Sequence, residues 1–197
     1  MPIIAKDAGG GDFEKTPTGN QQAVCAFVED IGTHRGEYQG VPNERHQIVV
    51  CWELAETMTQ GEYAGKPFMI SNFYTLSLGK KANLRKDLEA WRGKAFTQQE
   101  LDGFDVERLK GANCLLNIIE ETSENGKTRA RIASISPVLK NMAPLTIVNK
   151  VPPEWIEKKR RESIEFTEND NDNEPPIFEV IHTNVNNESY PQDDLPF

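Results

Sequence analysis

Aromatic side chains on the polar face of a strand are candidates for stacking against nucleic-acid bases. In the segment PFMISNFYTLSL, alternation places Phe73 on the same face as Ser71, Thr75 and Ser77. A flat ring on a polar surface can stack on an unpaired base, and each stacked base contributes about 1–3 kcal/mol. Tyr38, in a glycine-rich stretch between two apolar runs, is the second candidate. For both rings, partial burial by packing is the alternative interpretation.

Trp52 and Tyr74 are further aromatic candidates for the same role. The alternation of their segments puts both rings on the apolar side of a strand, which favours packing in the core over contact with a ligand. We therefore expect them to belong to the interior, and keep them as secondary candidates for base contact.

Cations that could follow a phosphate backbone occur in three places along the chain. Neutralising a phosphate releases counterions, so each such contact makes binding depend on salt. The candidates are Arg129 and Arg131 on one side of a predicted strand, Lys80, Lys81, Arg85 and Lys86 at a strand-to-helix junction, and Arg35 and Arg45 flanking the first hairpin. Each alone is an ordinary surface charge, and the argument for binding is collective.

The negative charge of the chain is concentrated at its C-terminal end. From Glu162 to Phe197 there are ten acidic residues and no Lys or Arg, although the whole chain has a net charge of -9. Removing those ten leaves residues 1–161 with 22 basic and 21 acidic side chains. The body is thus nearly neutral, and its overall acidity does not exclude a nucleic-acid ligand.

The last five residues have the chemistry of a docking peptide. The Phe197 ring suits an apolar pocket, its carboxylate suits a basic side chain beside that pocket, and Pro196 lowers the entropy lost on docking. Acidic residues steer the tip towards basic surfaces. The predicted docking set is Asp193, Asp194, Leu195, Pro196 and Phe197. The alternative is a tail that only improves solubility.

Catalytic and metal chemistry have little support. The three cysteines form no CxxC pair and lie within apolar runs, which predicts buried thiols in a reducing compartment, and the three histidines are scattered. Glu157-Lys158-Lys159 matches a Glu-x-Lys nuclease triplet, but such triplets are common in charged segments. We expect no enzyme activity, no metal, no cofactor and no membrane span.

Hydrophobic periodicity predicts five strands with a helical insertion after the third. A helical stripe follows Asn83 and ends near Gly93, and Thr97 with Glu100 forms a capping-box pattern. The segment from Gly32 to Pro42 is interpreted as a loop. The predicted strands are Ala23–Ile31, Gln47–Leu54, Pro67–Leu78, Asn113–Glu121 and Thr128–Val138.

This order of elements predicts an all-β fold, a five-stranded barrel of the oligonucleotide/oligosaccharide-binding (OB) type, with the helical insertion between strands three and four. A layered α/β fold would need strands and helices to alternate throughout. Residues 1–20 are expected to be a flexible arm, 21–155 the barrel, and 156–197 a disordered acidic tail, because the tail has too few apolar residues to offset its ordering entropy.

Residues 22–140 resemble phage-encoded OB-fold single-stranded DNA-binding proteins. The likeness is carried most specifically by NLRKDLEAWRG and by GFDVERLKGANCLLNI. The tip DDLPF is similar to the end of bacterial single-stranded DNA-binding proteins. The resemblance implies a protein of the bacterial host cytoplasm that coats single strands during phage replication or recombination and recruits partner proteins through its tip. Two alternatives remain, an OB barrel that binds protein and not DNA, and an RNA-binding protein.

Overall fold

Five antiparallel strands and a helical stretch between the third and fourth make this a mostly β fold. The computed structural model describes residues 14–38, 40–123 and 125–164, so the predicted docking tip and residues 1–13 lie outside the described part. The elements are β1 (Gly19–Tyr38), β2 (Val41–Thr57), β3 (Pro67–Thr75), α1 (Asn83–Arg92), α2 (Gln98–Asp102), a 3₁₀ helix (Val106–Leu109), β4 (Asn113–Thr122), β5 (Thr128–Ser136) and α3 (Glu154–Arg161).

The sheet has the strand order β3-β2-β1-β4-β5. The central strand, β1, pairs with β4 at its start, where Gly19 faces Ile118, and with β2 over most of its length. The two strands at the ends of this order, β3 and β5, contact each other as well. Five antiparallel strands with a helical stretch between the third and fourth confirm the coarse prediction from the sequence.

One face of the sheet packs on the helical insertion to form the main core. Along β2, the alternation predicted Ile48, Val50, Trp52 and Leu54 on the buried face, and all four are at most 2% exposed. The apolar stripe of α1 meets them there, and the ring of Trp91 lies 5.8 Å from that of Trp52. Burial of each large apolar side chain contributes about 1.5–3 kcal/mol, so this layer dominates the stability of the fold.

The predicted loop between the first two strands is wrong. The glycine-rich segment continues as strand on both sides, and the hairpin closes between Tyr38 and Val41. Gly32 has φ 76° where the pairing register of β1 shifts, so its lack of a Cβ allows a bulge rather than a loop. The hairpin therefore extends the sheet beyond the core as a two-stranded arm.

The opposite face of the sheet is covered by the chain that follows β5. We call residues 143–164 the C-terminal strap. It crosses β4 and β1, where Asn113 bonds to both backbone groups of Leu145 and Gln22 donates to the Ala143 carbonyl. Under the strap lies a second apolar cluster, made of Ala26, Phe27, Ile31, Val49, Cys51 and Ile156.

At both ends, residues beyond the predicted limits of the barrel pack against it. The expected start of the tail at residue 156 falls inside α3, whose Ile156 is 2% exposed. At the other end, residues 14–20 were expected in the arm, yet Glu14 accepts hydrogen bonds from the Thr59 amide at 2.6 Å and from the Gln60 amide at 3.2 Å, and β1 begins at Gly19. No helix among the described residues is long and apolar enough to cross a membrane.

Candidate nucleic-acid interface

The outer face of the sheet, opposite the main core, carries an exposed pair of aromatic rings. Phe73 on β3 is 44% exposed and Trp155 on α3 is 39% exposed. Their ring centroids are 5.9 Å apart and the rings are tilted by 58°. Each of these rings keeps part of its surface in solvent, where an unpaired base can stack on it. We call Phe73 and Trp155 the ring pair.

Trp155 reaches this position because α3 is held down along its length. Ile156, its neighbour in the chain, is buried in the cluster beneath. Near the other end of the helix, the Arg160 guanidinium donates to the Asp30 carbonyl at 2.8 Å and pairs with the Glu29 carboxylate at 3.2 Å. The helix that carries Trp155 is therefore fixed relative to the sheet.

Trp155 was not among the candidates expected from the sequence. A helix signal was nevertheless present. Two prolines precede the segment, glutamates occupy its first turn, and Lys and Arg fill its last turn, as the helix dipole favours. A helix with Trp155 and Ile156 side by side must bury one of them, so an apolar contact with the body could have been expected.

A buried carboxylate anchors the strap just before α3. Glu53 on β2 is 1% exposed and points to the outer face. It accepts hydrogen bonds from the backbone amides of Val148 and Asn149, both at 2.8 Å, and from the Asn149 side-chain amide at 2.7 Å. Three donors to one carboxylate offset the cost of burying its charge.

The cations of the first hairpin lie on two different faces. Arg35 is opposite Glu44 and pairs with it at 3.5 Å. Arg45 is opposite His34, and its alternation with Gln47 and Val49 puts it on the outer face, the face of the ring pair. Tyr38 is the last residue of β1, and its backbone lies opposite Val41.

Arg129 and Arg131 share one side of β5, as predicted, and both are exposed. Arg131 forms an ion pair with Glu121 at 3.3 Å. On the path through β1 and β4, the strap crosses the outer face between Phe73 and these arginines. Along this path the strap therefore separates Phe73 from Arg129 and Arg131.

At the junction of β3 and α1, one predicted cation has a structural role. Arg85 is 19% exposed, pairs with Glu89 at 2.9 Å and donates to the Leu78 carbonyl at 3.3 Å. Lys80, Lys81 and Lys86 are exposed. Only these lysines are thus available to a ligand at this junction.

Trp52 and Tyr74, the secondary candidates for base contact, are both buried. They are 1% and 4% exposed, so neither ring offers a face to a base. The Tyr74 hydroxyl donates a hydrogen bond to Asp87 at 2.8 Å, and burial, helped by that carboxylate, raises the pKa of the phenol. Both belong to the core, as the alternation had favoured.

The three cysteines are free thiols, and the prediction that they are buried is confirmed. Burial raises the pKa of the Cys51 thiol to about 12, and also raises those of Cys25 and Cys114, so none is poised as a nucleophile. Within the described residues, no group of three His, Cys, Asp or Glu side chains could hold a metal ion.

The predicted docking residues Asp193, Asp194, Leu195, Pro196 and Phe197 lie outside the described part of the chain. No model of a known protein family matches this sequence, and no curated protein matches it. The assignment of function therefore depends on the site itself.

Proposed function

We propose that this protein binds single-stranded DNA without sequence preference and coats it during phage DNA replication or recombination. The sheet supports a barrel of the OB type. Its order runs from β3 through β1 to β5, with the two end strands in contact and a helical stretch after β3. OB barrels bind oligonucleotides on the outer face of their second and third strands. The ring pair lies on the corresponding face.

The observation that carries the proposal is the exposure of Phe73 and Trp155 together. Large exposed rings cost hydration free energy, and their retention on a sheet face is explained by a ligand with flat apolar surfaces. Sequence-independent binding also needs cations beside the rings. Lys158 and Arg161 follow Trp155 on α3, and both are exposed. Bases would stack on the ring pair while phosphates lie along this helix.

The acidic C-terminal region supplies the second half of the proposed function. Its tip, Asp193–Phe197, would dock on partner proteins of replication or recombination, as its apolar ring, carboxylate and proline suit. When no partner is bound, the same acidic residues would compete with DNA for the body's cations. That competition weakens as salt screens it.

The ring pair is tested by fluorescence anisotropy with a labelled thymine 30-mer, compared with the matching duplex and a uridine 30-mer. We expect Phe73→Ala and Trp155→Ala each to weaken binding by about 5- to 150-fold, the equivalent of about 1–3 kcal/mol per stacked base. Tyr63→Ala is the matched control, because Tyr63 is similarly exposed, at 43%, but contacts Lys66 away from the pair. Equal binding to duplex, or equal loss in all three variants, contradicts the proposal.

The tail is tested by ending the chain after residue 164, which keeps α3 intact. We expect the shortened protein to bind the thymine oligonucleotide more tightly at low salt and to lose capture of replication proteins. If the affinity for DNA depends on salt in the same way in the shortened and the full chain, the tail does not compete with DNA.

A second candidate, a module that binds protein and not DNA, is favoured by one observation. Val148 and Val151, on the strap before Trp155, are 58% and 76% exposed. Apolar side chains of this kind suit a protein partner better than a phosphate backbone. The DNA titration separates the two candidates, because this module shows no affinity for the thymine oligonucleotide in any variant.

A further inference from the structure

The strap divides the outer face of the sheet into a closed part and an open part. Across β4 and β1 the face is covered, since Asn113 holds Leu145 and Gln22 holds the Ala143 carbonyl. On β2, Glu53 binds the strap backbone. A strand of DNA that left the ring pair across β1 towards β4 would meet the strap.

The strap is a stable part of the fold and does not act as a removable lid. Lifting it would expose the apolar cluster around Phe27, Val49 and Ile156, and would leave the carboxylate of Glu53 without its three donors. Uncovering such surface and leaving a buried charge unpaired are both costly. The closed part therefore stays closed when a ligand binds.

The open part leads from the ring pair to the first hairpin. On the sheet, Phe73 is opposite Val49 and Thr75 is opposite Gln47, and Arg45 is the next residue of β2 on the same face. Arg45 lies four positions before Val49 along the strand, a distance of about 13 Å. Thr75 and Gln47 are not buried, so the surface between the ring pair and Arg45 is polar and accessible.

The basic end of α3 runs in the same direction. Arg160 bonds to the Asp30 carbonyl, and the Asp30 carboxylate lies 2.8 Å from His46, the neighbour of Arg45. The helix therefore extends from Trp155 to the base of the hairpin. In the described part of the chain, Arg45 and Lys158 take part in no ion pair, whereas Arg131 is paired with Glu121.

We infer that the single strand passes from the ring pair along α3 to the outward face of the first hairpin, with its phosphates on Lys158 and Arg45 and away from Arg129 and Arg131. This path rests on the proposed function. It gives the strap a second role, as the wall that directs the strand to one side of the sheet.

The test measures how the affinity of the full chain for a thymine 30-mer depends on salt. For single strands, each lost phosphate contact makes the plot of log affinity against log salt less steep by about 0.7. We expect that reduction for Arg45→Gln and for Lys158→Gln. Arg131→Gln is the matched control and should leave the slope unchanged. Circular dichroism melts verify that each variant is folded, which surface substitutions should allow.

The outcomes separate the path from the proposed function. If Arg131→Gln makes the salt dependence less steep by as much as Arg45→Gln does, the path is wrong although DNA binding stands. If Arg45→Gln and Lys158→Gln both keep the wild-type slope, the path is also wrong. If the wild-type chain does not bind the thymine oligonucleotide, the proposed function fails, and the path fails with it.

Discussion

Replacing Glu53 by glutamine tests how firmly the strap is attached. The glutamine oxygen can still accept from Asn149, but its amide group then faces the Val148 amide, donor against donor. One charge-assisted hydrogen bond at 2.8 Å is lost, and the remaining two become neutral. A lost bond to a charged group costs about 1.5–3 kcal/mol, and removing a buried charge offsets part of that. We expect the free energy of unfolding to fall by about 2 kcal/mol.

The measurements are guanidinium unfolding for the free energy, a thermal melt for the melting temperature, and amide hydrogen exchange for the local effect. For a body of this size, a loss of that magnitude lowers the melting temperature by about 4–8 °C. Exchange should accelerate first at Val148 and Asn149, because their amides donate to the replaced carboxylate. Glu56→Gln is the control, since Glu56 lies on the same strand but is exposed. An unfolding free energy within about 0.5 kcal/mol of wild type, with unchanged protection at Val148, would refute the role of Glu53.

The helical insertion and the thiols yield three further predictions. The hydrogen bond from the Thr97 amide is the main reason that the pKa of the Glu100 carboxyl is lowered. The ionised carboxylate therefore stabilises the fold above the ordinary glutamate pKa, and this contribution to the free energy of unfolding is lost as the pH falls through the lowered pKa. Thermal melts should therefore show that Glu100→Gln is less stable than wild type at neutral pH, and that the gap closes in acid. Because burial raises the pKa of Cys51 to about 12, native protein at about pH 8 should not react with a thiol reagent until it is unfolded, and fast labelling would contradict this. Gly93→Ala should cost about 1–2 kcal/mol in denaturant titrations, because Gly93 ends α1 at φ 66° and a new Cβ would meet Pro137 at 3.3 Å; a neutral effect would contradict it.

The elements that could be predicted are those whose signal is local. Alternation identified the core face of β2, and the spacing of Leu84, Leu88 and Trp91 identified the buried stripe of α1. The capping box of Thr97 and Glu100 forms as its pattern indicates. In each case the residues that decide the structure are within a few positions of one another.

The parts that were missed depend on contacts between distant residues. Val49 alternates with the core face of β2, which put it on the solvent side, yet it is covered by a segment about a hundred residues later in the chain. The glycines near Gly32 indicated a loop, because pairing with β2 is not visible in local composition. The same long-range contact places Trp155 beside Phe73, so half of the candidate site could not be found by periodicity.

The late position of the strap in the chain has a consequence for synthesis on the ribosome. All five strands have been translated once Ser136 is added, but Ile156, which covers their second apolar cluster, follows 20 residues later. At about 5–20 residues per second, the nascent sheet spends about 1–4 s with that surface bare. During this interval a chaperone, or a neighbouring nascent chain, can reach the bare surface.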